Sequence, residues 1–113
     1  MEKPIEKNDA LSMLVYLNGS VHQVITGLCI CDTSTGHILS RAISTNIHFK
    51  NMSQSEPSSY VEKEDVLGIA GAYDHENLGC VLLEKIDGDY YNSIGVPLSV
   101  IADELKKFGI NVL

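Results

Sequence analysis

A chain of 113 residues, 44% hydrophobic and 20% charged, has the composition of one soluble domain with a modest core rather than of a disordered segment. Its net charge of −7, from 15 acidic against 8 basic side chains, argues against nucleic-acid polymers and anionic lipid as partners while leaving small anions open. No apolar run approaches the roughly 20 residues of a membrane helix, and the charged opening MEKPIEKND does not read as a signal peptide.

In chain order, residues 8–18 (NDALSMLVYLN) predict a helix capped by Asn8 or Asp9, with Leu11, Leu14 and Val15 at helical spacing and Gly19 at its end. Val21 to Cys31 is rich in β-branched and apolar residues and reads as a mostly buried strand. Asp32-Thr33-Ser34-Thr35-Gly36 is turn chemistry. A second strand runs from about His37 to Phe49, where Ile43, Thr45, Ile47 and Phe49 alternate with Ser44, Asn46 and His48. The two strands predict an antiparallel hairpin.

NMSQSEPSS is loop-like, with Pro57 placed to open a short helix through Tyr60 and Val61. After a glycine-spaced segment at 68–79, Cys80 to Ile86 reads as a buried strand and Asp87-Gly88 as a turn. Pro97 opens an amphipathic helix, PLSVIADELKKF, that Gly109 stops, and Ile110 to Leu113 reads as a last short strand. No repeat, low-complexity tract or linker divides the chain, so residues 1–113 are expected to form a single α/β domain.

Three cysteines, an odd number with no secretory context, point to free thiols in a reducing compartment, the cytoplasm. Cys29 and Cys31 share one side of their strand and read as small buried hydrophobes, because C-x-C without a second pair is a weak ligand set. His37, His48 and His75 share no ligand spacing, so zinc is not expected. His22, in an apolar strand, reads as a hydrogen-bonded core residue. The stretch GAYDHENLGC places Asp74, His75 and Glu76 between glycines, where a backbone can come close to a ligand; its residues alone do not separate a site from a polar loop.

Several phrases, in order and at matching distances, resemble one family. LNGSVHQVITGLCI is similar to L-S-G-x-x-H-x-V-x-T-G-V-x-I, and ISTNIHF to a threonine placed before V-x-F. AGAY stands at the right distance before IDGDYYNSIGVPL, which resembles I-x-G-D-Y-x-N-V-x-G-L-P-L. Together they resemble the Maf, or septum-formation-inhibitor-like, family of nucleoside triphosphate pyrophosphatases, from Lys3 to the end of the chain.

The resemblance implies a Maf-like, inosine-triphosphatase-like fold: a mixed sheet with flanking helices around a cleft. Family members carry an N-terminal serine- and arginine-rich phosphate loop and an Asp-Thr motif with no counterpart here, so the chain is expected to be the C-terminal part of such an enzyme. The implied reaction is hydrolysis of a nucleoside triphosphate to the monophosphate and pyrophosphate. A divalent metal, Mg or Mn, is the implied cofactor, the nucleotide the partner, and a homodimer the assembly. The general-base aspartate falls in the segment without a counterpart, and no catalytic residue is carried over.

Four substrate-binding residues are implied. Lys3 matches the lysine of G-K-P near the phosphates, with a solvated terminal lysine as the alternative. Thr26, of the T-G pair lining the cleft, and Thr45, before V-x-F, can equally be ordinary strand threonines. Glu76 stands where many relatives carry the glutamine of A-Y-G-I-Q-G-x-G, which helps to choose the base. A subgroup with glutamate there, commonly also without the D-K that Gly68-Ile69 replaces, prefers 7-methyl-GTP to dTTP or UTP. A carboxylate suits guanine N1–H and N2–H₂ donors, yet GDYYN is closer to the dTTP/UTP subgroup, so both substrate classes stay open. An inactive nucleotide-binding or dimerisation module is the alternative to an enzyme.

Overall fold

The computed structural model of the chain describes residues 3–74 and 77–113. The elements are α1 (Lys7–Leu17), β1 (Val21–Cys31), β2 (Ile38–Phe49), α2 (Ser55–Lys63), β3 (Leu83–Asp87), α3 (Tyr90–Ile94) and α4 (Leu98–Lys106), with 3-10 turns at Ala70–Ala72 and Asn77–Leu82. The strands form an antiparallel sheet in the order β1-β2-β3. The chain packs as two compact units: Met1–His22 with Ile47–Ile86, and Gln23–Asn46 with Asp87–Leu113. Among the described residues no helix is long and apolar enough to cross a membrane.

In the first unit, α1 is capped at Glu6 and so starts two to three residues earlier than Asn8 or Asp9 as cap would place it. The Asp9 carboxylate reaches back to accept the Glu6 N–H at 3.2 Å, so Asp9 acts from inside the first turn. Ala10, Leu14 and Leu17 form the buried face, against α2 and the turn at 70–72. Val15, expected on that face, is 59% exposed, because one residue beyond Leu14 is a rotation of about 100°. The helix end is tied down by Asn18, whose side chain accepts the Met52 N–H at 2.7 Å and donates to the Met52 carbonyl at 3.2 Å. α2 begins at Ser55, two residues before the expected start at Pro57, which sits within the first turn, and Tyr60 and Val61 join the core as expected.

The hairpin has one register throughout. Asp32 N–H donates to His37 O at 2.8 Å, and Phe49 N–H to Ser20 O at 2.9 Å. Val24 therefore lies across from Thr45, and Thr26 from Ile43, with all four side chains on one face. On that face Ile43, Thr45, Ile47 and Phe49 are buried. On the other face β1 is exposed at every second residue from Val21 to Cys31, so the expected mostly buried strand is half-buried at best. Cys29 and Cys31 lie on the exposed face and are free thiols in contact with solvent, which corrects their reading as buried hydrophobes. The composition of β1 signals a strand; whether a second layer covers it is a tertiary matter.

Two further expectations are corrected. Cys80 to Leu82 belongs to the 3-10 turn, and β3 begins only at Leu83 with no fully buried residue. Ile110 to Leu113 forms no strand. The Ile110 N–H is committed to Leu105 O at 3.1 Å and the Gly109 N–H to Lys106 O at 3.0 Å, a helix-closing pair that stops α4 at Gly109 as expected. In the second unit the Asp32 turn is held by its carboxylate, which accepts the Ser34 N–H at 2.9 Å and the Ser34 hydroxyl at 2.7 Å. The Glu104 carboxylate on α4, though buried, receives Arg41 at 2.6 Å and Lys107 at 2.8 Å.

Candidate functional site

Three of the family-like phrases meet in the second unit. Asn92, the buried asparagine of GDYYN, donates through Nδ2 to Val24 O at 3.2 Å, Ile43 O at 3.2 Å and Thr45 Oγ1 at 2.9 Å. It thus bonds to three corners of the square that the register defines, and Thr26 is the fourth. The Thr45 hydroxyl donates in turn to Asp89 O at 2.9 Å. Asp89 caps α3 by accepting the Asn92 N–H at 3.1 Å, which sets the amide over the strands.

Gly88 makes this approach possible. Its φ is +127, and a Cβ there would lie 3.2 Å from both the Cα and the hydroxyl of Thr45. Asn92 Oδ1 is buried with no hydrogen-bond partner among the described residues, an acceptor left over once the donors are used. Tyr90 and Tyr91 are 46% and 53% exposed. The phrase is held by its small and polar residues, not by its rings.

Thr45 is therefore fully buried, and its one proton is committed within the protein. That geometry makes it a positioning residue for the hairpin. Thr26 is half-buried on the same face of β1 and keeps part of its side chain accessible. Lys3 is exposed in the first unit, ahead of α1. Glu76 lies outside the described residues, as does His75.

The segment around Glu76 can be followed on either side. A Cβ at Gly79 would lie 1.5 Å from the Asp74 carbonyl oxygen and 3.1 Å from the Tyr60 hydroxyl, so only glycine permits this approach. Asp74 N–H donates to the Tyr60 hydroxyl at 3.3 Å, and Leu78 N–H to Glu64 Oε1 at 3.1 Å. Ala72 and Asn77 have φ of 65 and 51, left-handed values that cost an alanine about 1 kcal/mol or more. Between them in the chain, Tyr73 hydrogen-bonds His22 Nε2 at 2.6 Å and packs edge-on against Phe49 with ring centroids 4.7 Å apart. His22 is thus the hydrogen-bonded histidine expected, and burial holds the Tyr73 hydroxyl well above its ordinary value, in its protonated form.

Among the described residues no three of His, Cys, Asp and Glu come together to hold a metal. The described residues by themselves offer no ligand set for the divalent cation that the family resemblance implied. Sequence reading overlooked Asn92 as the central side chain. The available signal was the Asp89-x-x-Asn92 spacing behind a glycine, a helix-cap pattern whose far end points back to a strand.

A family model described as Maf-like protein matches residues 1–108. The chain is similar to the dTTP/UTP pyrophosphatase of Alkaliphilus metalliredigens, 38% identical over 112 residues, covering 98% of this chain and 58% of that protein. It is similar to the dTTP/UTP pyrophosphatase of Acetivibrio thermocellus, 36% identical over 113 residues, or 100% of this chain and 56% of the relative. It is also similar to that of Methanococcoides burtonii, 37% identical over 110 residues, 97% of this chain and 56% of the relative. The chain thus spans a little over half the length of these curated relatives.

Proposed function

This chain belongs to the Maf-like protein family, and from that premise we propose that it serves a nucleoside triphosphate pyrophosphatase. In that reaction water attacks the α-phosphorus, the bond to the bridging oxygen breaks, and pyrophosphate leaves with the nucleoside monophosphate as the other product. The carrying observation is the family match over 1–108, together with relatives named dTTP/UTP pyrophosphatase at 36–38% identity across nearly the whole chain. Those names favour dTTP and UTP as substrates.

A second reading, a 7-methylated guanosine triphosphate, is favoured by one observation: a carboxylate at position 76 where the family pattern has an amide. A carboxylate accepts from the two donors of a guanine edge and favours a cationic base. In this proposal Glu76 reads the base, Thr26 offers its half-exposed hydroxyl to the nucleotide, and Lys3 meets phosphate. Thr45 acts through the hairpin and not by contact. The nucleotide arrives as its Mg or Mn complex.

The test is pyrophosphate release from dTTP, UTP and 7-methyl-GTP with Mg²⁺ or Mn²⁺, using this chain and its Glu76→Gln variant. Hydrolysis of dTTP and UTP is the expected outcome. Selective hydrolysis of 7-methyl-GTP that E76Q shifts by about ten-fold or more toward pyrimidines would establish the second reading. Nucleotide binding by calorimetry without any turnover would leave a binding module in place of an enzyme.

We further propose that the chain self-associates through the outer face of its hairpin. In the second unit that face carries Gln23, Ile25, Gly27, Cys29, Cys31, Ile38, Ser40, Ala42, Ser44 and Asn46, none of them charged. Copies of a chain with net charge −7 meet most readily where neither presents charge.

A further inference from the structure

In the first unit, a cavity of about 280 Å³ opens beside α2. Its walls carry Lys50, Ser59, Tyr60 and Lys63, and its apolar floor is Leu78, Val81 and Leu82. Leu78 and Val81 are 36% and 48% exposed, so the floor is open to a ligand. Glu56 also lines it.

The electrostatics run against the rest of the molecule. In a chain with net charge −7, two of its 8 basic side chains face one concavity, and neither makes an ion pair among the described residues. Lys7, Arg41, Lys106 and Lys107, by contrast, are all paired with carboxylates. Tyr60 lines the cavity as well. It is 4% exposed, its oxygen accepts the Asp74 N–H, and its own proton has no acceptor among the described residues. Burial raises its hydroxyl above the ordinary tyrosine value, so the proton is retained at neutral pH. The Ser59 hydroxyl makes no hydrogen bond within the described residues either.

We propose that this cavity is a binding site for a small aromatic phosphate monoester. Lys50, Lys63, Tyr60 and Ser59 meet the phosphate, and Leu78, Val81 and Leu82 meet the ring. A phosphate dianion can pair with the two ammonium groups, which leave the lining net positive after Glu56, and the volume suits a ligand of about ten heavy atoms rather than a triphosphate. The site is independent of the pyrophosphatase reading, because none of its residues is assigned to that reaction. It borders the Glu76 segment: Tyr60 holds Asp74, and Leu78 lies in the chain between Asp74 and the Gly79 pinched against it.

Phenyl phosphate is the probe, titrated into the whole chain and followed by calorimetry and amide chemical shifts, with inorganic phosphate and phenol as half-ligands. The expected result is saturable binding at least about ten-fold tighter than either half-ligand, with shifts centred on residues 50, 59–63 and 78–82. Lys50→Met and Lys63→Met each weaken it about two- to five-fold, and Val81→Asp, which puts a carboxylate on the floor, abolishes it. All three positions are exposed, so the variants are expected to fold, which circular dichroism checks. Equal affinity for phenyl phosphate and inorganic phosphate, shifts confined to other residues, or binding unchanged in the Lys50→Met, Lys63→Met double variant overturns the proposal.

Discussion

Asn92 shows how much one side chain can do in a small sheet. An exposed asparagine contributes little, but a buried one whose amide meets two carbonyls and a hydroxyl joins two strands and a helix. Removing it leaves Val24 O and Ile43 O without this donor and the Thr45 oxygen without its partner. Asn92→Ala is therefore expected to lower unfolding free energy by about 3 kcal/mol in denaturant titration. Gly88→Ala is expected to cost about 2 kcal/mol or more, through a left-handed φ and the contact with Thr45. Thr45→Val separates the positioning role from a substrate role. A scaffold threonine loses about 1–2 kcal/mol of stability while KM for the nucleotide stays within about two-fold, whereas a contacting one raises KM without that loss.

Among the elements, α4 owes its attachment to a carboxylate as well as to apolar contact. Glu104 is buried on a helix whose last turn supplies Lys107, and Arg41 reaches it from β2. The hydrogen bonds from Lys107 and Arg41 outweigh desolvation and hold its carboxyl below the ordinary 4.5. A depressed carboxyl contributes stability that is present above the unfolded value and lost as pH falls through the folded one. The stability gap between the wild type and Glu104→Gln is accordingly expected to be constant from pH 7 to about 5 and to close below about 4.5, as read from urea midpoints at each pH. A gap that persists at pH 3 would show that packing, not charge, holds the helix. In α1, Leu14→Ala empties a fully buried position and is expected to cost about 3 kcal/mol.

For the whole molecule, charge and exposure together predict association. The hairpin's outer face is uncharged along its length in the second unit, while the remaining surface carries most of the 15 acidic side chains. Ile25, 63% exposed at the middle of that face, is the position where one charge does most. Sedimentation of the wild type is expected to show dimer at micromolar concentration, and Ile25→Glu to shift it to monomer without loss of secondary structure. Salt provides an independent check: repulsion between two copies of charge −7 is screened, so association should tighten from low to physiological ionic strength.

The sequence by itself determined α1, the hairpin and its turn, α2, the closure of α4 at Gly109 and the family, but not α3. These rest on spacing, turn residues and phrases that are local to the chain. Only the tertiary structure decided which face of each element is covered. Val15 points outward because the neighbours of α1 lie about a third of a turn away, and Cys29 is bare because no second layer covers that face of β1 among the described residues. It also decided that Thr45 is spoken for, since the acceptor for its proton is Asp89, 44 residues distant in the chain. Burial and hydrogen-bond partnership are properties of pairs of segments, and no local pattern carries them.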